Sequence, residues 1–68
     1  MTKLKQLRTK KNLSQKDLAE KAGINVRTLQ QYEQGTRDLN KAEALTVLKL
    51  AFVLNCNPYE LINFRGEI

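Results

Sequence analysis

Apolar residues recur along this 68-residue chain at helical spacing, and nowhere in the strict alternation of a half-buried strand. Leu4 and Leu7 share a face three residues apart and predict a first helix over residues 2–11, with Asn12 as its stop and Leu13 dropping into the core. Leu18, Ala19 and Ala22 form the small apolar face of a second helix between Ser14 and Gly23. Ser14 followed three residues on by Asp17 is a variant capping box, with Asp in place of the usual Glu. Asn25 caps a third helix over residues 26–34, with Leu29 and Tyr32 on its inner face, and Gly35 suits the left-handed position that closes it. A fourth helix is predicted over residues 41–54, capped by Asn40 and ended by Asn55. Its buried stripe is read as Ala44, Leu45, Leu48, Ala51 and Phe52, widened by Val47, Leu50 and Leu54, and as the most apolar helix it is expected at the centre of the core. Asn57-Pro58-Tyr59-Glu60 places a cap, a proline at the first helical position and an acid at the third, and opens a fifth helix carrying Leu61, Ile62 and Phe64.

Five short helices joined by brief turns make one all-α domain over residues 1–68. A chain this short buries roughly 60% of its unfolded surface, so it folds alone with little margin. Within it, the stretch from Ser14 to Gly35 is two short helices joined by a tight glycine-containing turn. That is the helix-turn-helix pattern, whose second helix can lie in the DNA major groove. With Leu29 and Tyr32 turned inward, Val26, Arg27, Gln30, Gln31 and Gln34 face outward or flank. These side chains suit base reading. Arg can bond guanine O6 and N7 together, Gln can do the same with adenine N6 and N7, and Val can touch a thymine methyl.

Charge sharpens this picture. The net charge is +5, but residues 1–41 carry ten Lys and Arg against four Asp and Glu, while residues 42–68 are slightly acidic. A basic front suits a polyanion, and a near-neutral back suits packing or pairing. The absence of His removes Cys–His zinc sites and histidine acid–base chemistry, and no catalytic constellation, cofactor site or metal site is expected. Cys56 stands alone, which fits a reducing compartment, and it is read as a small hydrophobe filling a core slot. No apolar segment follows the N-terminus as in a signal peptide, and the longest apolar run, residues 50–54, is far short of a membrane span.

The chain resembles the phage-repressor and Cro type of helix-turn-helix family, often called the XRE type, from Leu4 to Leu61. The resemblance is carried by Leu4, Leu7 and Arg8, then by Leu13-Ser14-Gln15-x-x-Leu18-Ala19-x-x-Ala22-Gly23-Ile24. It continues through Leu29-x-x-Tyr32-Glu33-x-Gly35 and Leu50-Ala51-x-x-Leu54-x-Cys56. One departure is the loop after Gly35, which reads Thr36-Arg37-Asp38-Leu39-Asn40, lacks the proline common there and is longer. The resemblance implies a compact five-helix, lambda-repressor-like DNA-binding domain. It implies base contacts from Val26, Arg27 and Gln31, with Gln30 a further candidate. Backbone contacts are implied at Ser14 and Gln15 and near Asn25 and Thr28; Thr36, Arg37 and Lys41 are candidate partners on the far side. It also implies a structural pair between Arg8 and Glu33, and pairing of two copies through Pro58, Tyr59, Ile62 and Phe64.

The expected function is that of a sequence-specific, double-stranded-DNA-binding transcriptional regulator, a repressor by preference. The chain would act in the cytoplasm of a bacterium, or be phage-encoded, as a homodimer at least on DNA. Two alternatives share these residues: an antitoxin that binds both a toxin and its own promoter, and a protein-interaction module of the same fold. A toxin or anti-repressor would then be a protein partner.

Overall fold

The computed structural model describes residues 2–62, and every regular element among them is helical. Four α-helices run in order: α1 Lys3–Lys10, α2 Gln15–Ala22, α3 Val26–Gln34 and α4 Ala44–Leu54. Single 3-10 turns occupy Leu39–Lys41 and Pro58–Glu60. The all-α class stands, with four α-helices among the described residues instead of five.

All four helices close with the same device. Asn12 (φ 59°), Gly23 (φ 68°), Gly35 (φ 84°) and Asn55 (φ 53°) each follow a helix in the left-handed region. The next N–H then reaches back to a carbonyl five residues earlier: Leu13 to Arg8 at 3.2 Å, Ile24 to Ala19 at 3.0 Å, Thr36 to Gln31 at 3.1 Å and Cys56 to Ala51 at 3.0 Å. Two glycines and two asparagines suffice because these residues tolerate positive φ best. Leu13, Ile24 and Cys56 turn back onto the core as the chain leaves each helix.

Helix starts separate what local chemistry decides from what it leaves open. Ser14 Oγ accepts from the Asp17 N–H at 3.0 Å, and Asp17 reaches back toward the Ser14 N–H, completing the variant capping box. Thr2 caps α1 from outside the helix, so α1 is one residue shorter at each end than the sequence predicts. Asn40 does not cap α4. Asp38 instead accepts the Asn40 N–H at 2.9 Å and caps the turn at Leu39–Lys41. Ala42 is extended (φ −71°, ψ 159°), so α4 starts three residues late, at Ala44, with no side-chain cap. Asn57 and Glu60 do form a capping box, but the element they open is a 3-10 turn and not a helix within the described residues.

The core gathers Leu4, Leu18, Leu29, Leu50 and Leu54, all 2% exposed or less, with Ala19, Ala22, Tyr32, Leu39, Val47, Ala51 and Leu61 around them. α2 packs on both α3 and α4, and α1 packs on α3. The buried stripe of α4 is Val47, Leu50, Ala51 and Leu54. The predicted stripe is therefore rotated: Ala44, Leu45, Leu48 and Phe52 face outward. An apolar helix has no polar face to mark its outside, so periodicity alone cannot orient it; contact with α2 does.

Candidate nucleic-acid interface

α2 and α3 meet through the turn at Gly23, and the outer side of α3 carries the side chains that could read bases. Val26 is 39% exposed, Arg27 and Gln34 are exposed, and Thr28, Gln30 and Gln31 are half-buried. Asn25 Oδ1 accepts the Arg27 N–H at 2.7 Å, which caps and fixes the first turn of α3.

Behind that face lies a buried ion pair. Arg8 Nε donates to Glu33 Oε2 at 2.7 Å, and Arg8 Nη2 donates to Glu33 Oε1 at 3.1 Å. The Glu33 side chain is 2% exposed and that of Arg8 is 11% exposed. Arg8 Nη1 also donates to the Leu13 carbonyl at 2.7 Å, and Thr2 donates to the Glu33 carbonyl at 3.3 Å. Both charges are thus saturated by directed partners, the condition under which a buried pair is tolerated. Its bidentate geometry fixes α3 against α1 in both distance and rotation.

The pair extends to the surface. Gln15 Nε2 donates to Glu33 Oε1 at 3.0 Å, and Gln30 Nε2 donates to Gln15 Oε1 at 3.3 Å. Arg8, Glu33, Gln15 and Gln30 therefore form one chain of hydrogen bonds across α1, α3 and α2. The resemblance implies the Arg8–Glu33 pair, and the structure contains it; the sequence carries no sign that Gln15 and Gln30 join it, because these partners lie 18 and 15 positions apart.

A second anchor sits at the other end of α3. Arg37 Nε donates to Gln31 Oε1 at 3.0 Å, and its guanidinium lies 5.9 Å from the centre of the Tyr32 ring. The Arg37 N–H and the Thr36 hydroxyl both donate to the Gln31 carbonyl, at 3.2 and 3.3 Å. The loop after Gly35 is thus folded onto the end of α3, with Thr36, Arg37 and Lys41 all exposed. Ser14 is exposed at the start of α2, and its Oγ accepts from backbone, leaving the hydroxyl hydrogen to point elsewhere. Among the remaining sequence candidates, Tyr59 is exposed while Pro58 and Ile62 are half-buried, and Phe64 lies outside the described residues.

A family model described as "Helix-turn-helix" matches residues 4–61. The chain belongs to the XRE-type helix-turn-helix family. Among solved structures, this helix-turn-helix chain is similar to the restriction-modification controller protein C.AhdI from Aeromonas hydrophila. The TM-score is 0.78 and the identity 37%, over 88% of this chain and 86% of that one. No curated protein matches it in sequence. The helix-turn-helix protein is a sequence-specific DNA-binding regulator of transcription.

Proposed function

We propose that this regulator lays α3 in the major groove with Val26, Arg27, Gln30 and Gln31 at base edges. In this reading Ser14, Gln15, Asn25 and Thr28 hold the backbone on one side, and Thr36, Arg37 and Lys41 hold it on the other. The observation that carries it is the hydrogen-bond chain from the buried Arg8–Glu33 pair through Gln15 to Gln30. An exposed glutamine would not need such support to stay soluble, whereas one that reads a base gains from being held in one rotamer before binding. The protein works by docking, not catalysis, and acts in the cytoplasm as a repressor or controller of a small set of genes. Likeness to C.AhdI supports a restriction-modification gene set as the target. Neither the family nor this neighbour favours the antitoxin reading.

One recognition helix reaches only a few base pairs, and each good contact discriminates by about 1–3 kcal/mol. Two copies on a two-fold site are therefore part of the proposal, with half-sites about one helical turn apart. Selection from random duplexes, followed by footprinting, tests the whole reading. The expected result is one enriched motif with major-groove protection over it. A pool that shows no enrichment at any salt concentration would overturn base reading.

A further inference from the structure

Two neighbouring glutamines on α3 are held with their amides turned opposite ways. A glutamine offers one carbonyl acceptor and one amino donor, and an unheld one turns either end outward. Arg37 can only donate, so the Gln31 atom that its Nε meets at 3.0 Å is Oε1. Both oxygens of Glu33 accept from Arg8, so this carboxylate accepts from Gln15 too, and it fixes Gln15 with Nε2 inward at 3.0 Å. Gln15 Oε1 is then the end offered to Gln30, whose Nε2 donates to it at 3.3 Å. The polarity passes from the buried ion pair to the surface one amide at a time. Among the described residues, no hydrogen bond reaches Gln30 Oε1 or leaves Gln31 Nε2. Position 30 thus presents an acceptor and position 31 a donor, both half-buried and both set before any DNA is present.

We propose that these two amides read bases of opposite chemistry. Gln31 donates to an exocyclic oxygen, thymine O4 or guanine O6, and Gln30 accepts from an exocyclic amine, adenine N6 or cytosine N4. Arg37 and Gln15 are positioning residues that set this polarity without touching the bases read. A fork that donates and accepts at once, as on adenine N6 and N7, needs both ends of the amide at the base. Here one end of each is turned to its neighbour in the protein. The proposal rests on base reading by α3 and narrows it, from which residues read to which chemical group each one reads. Arg37 has a second candidate role on phosphate, and the two roles separate. A lost phosphate contact weakens binding to every sequence alike, whereas a released amide changes preference at one base pair.

The test uses the full chain and duplexes of the selected motif, titrated at one salt concentration. Gln30→Ala and Gln31→Ala first mark the base pair each residue reads, as the position whose preference flattens. Every base pair carries one exocyclic oxygen and one exocyclic amine in the major groove. Duplexes are therefore built with base analogues that lack only one of these groups, such as purine in place of adenine. At the Gln31 pair, wild type should lose about fivefold in affinity or more when the oxygen is deleted, and little when the amine is deleted. The Gln30 pair should show the reverse. Gln31→Ala and Gln30→Ala should each show neither loss at their own pair, which sets aside any weakening of the duplex itself. Arg37→Met should make the two losses at the Gln31 pair nearly equal, and Gln15→Met should do so at the Gln30 pair, with helical circular dichroism retained. If Gln15→Met unfolds the chain, the wild-type pattern and Arg37→Met decide. Equal losses in wild type, or a pattern that Arg37→Met leaves untouched, overturn the proposal while base reading by α3 stands. If Gln30→Ala and Gln31→Ala flatten no position, base reading by these residues fails and the proposal falls with it.

Discussion

Arg27 is the residue on which base reading is most simply tested. It stands in the first turn of α3, which Asn25 caps, and is exposed. Arg27→Ala should weaken binding to the selected site by about 1–3 kcal/mol while leaving binding to random DNA nearly intact. Equal losses on both, measured by titration at one salt concentration, would reassign Arg27 to phosphate. Cys56 offers a second test at this scale. Burial, reinforced by Glu60, pushes its thiol above the ordinary value, and Lys3 and Lys11 pull only partly the other way. The thiol should therefore stay protonated at neutral pH and alkylate more slowly than a cysteine in a short peptide. Because the folded state holds this proton more tightly than the unfolded chain, the stability it contributes is complete below the unfolded thiol value. That contribution is lost as pH rises through the folded value. Alkylation at the peptide rate in the folded protein would contradict both statements.

At the scale of elements, the buried Arg8–Glu33 pair ties α1 to α3. Removing one member strands the other charge in a site where Glu33 is 2% exposed. Arg8→Ala should cost about 3–5 kcal/mol. Against a total stability on the order of 3–10 kcal/mol for a chain of this length, that approaches global unfolding. Thermal melts followed by circular dichroism check this, with any exposed Lys→Ala change as reference; an unchanged melting temperature would mean the pair contributes nothing net. The left-handed closures give a smaller effect of known sign. Gly35 sits at φ +84° with open space around it, so Gly35→Ala meets no clash, only backbone strain. It should cost about 1–2 kcal/mol, while Asn55→Gly should cost nothing or stabilise slightly.

For the whole molecule, the uneven charge becomes a salt dependence. Each phosphate neutralised contributes about −0.9 to the slope of log affinity against log salt. Lys41, exposed on the 3-10 turn beyond α3, should lower that slope by about one unit when changed to alanine, without altering the preferred sequence. A Lys41→Ala protein with an altered motif would mean that this loop reaches bases. The selected motif should itself be an inverted repeat, since two copies related by a two-fold axis read the same half-site in opposite directions.

Much of this molecule was legible along the chain because it depends on residues only a few positions apart. The caps at Ser14 and Asn25, the left-handed stops at Asn12, Gly23, Gly35 and Asn55, and the spacing of the two central helices are short-range events. Hydrogen bonds between near neighbours decide them, and the residue types announce those bonds. What the sequence left open is where several answers satisfy the same local rules. Asp38 and Asn40 are both good caps, and only the folded loop chose Asp38 and delayed α4 to Ala44. The Asn57 box marks a helical start but not its length, and it opened a single 3-10 turn within the described residues. α4 is apolar nearly all round, so no periodicity could say that Val47 and Leu50 go inside while Phe52 stays 86% exposed. Packing against α2 settled that orientation. The resemblance implies the Arg8–Glu33 pair, but its extension through Gln15 to Gln30 was open: each residue is visible in the sequence, and only three helices brought together turn them into one hydrogen-bonded support.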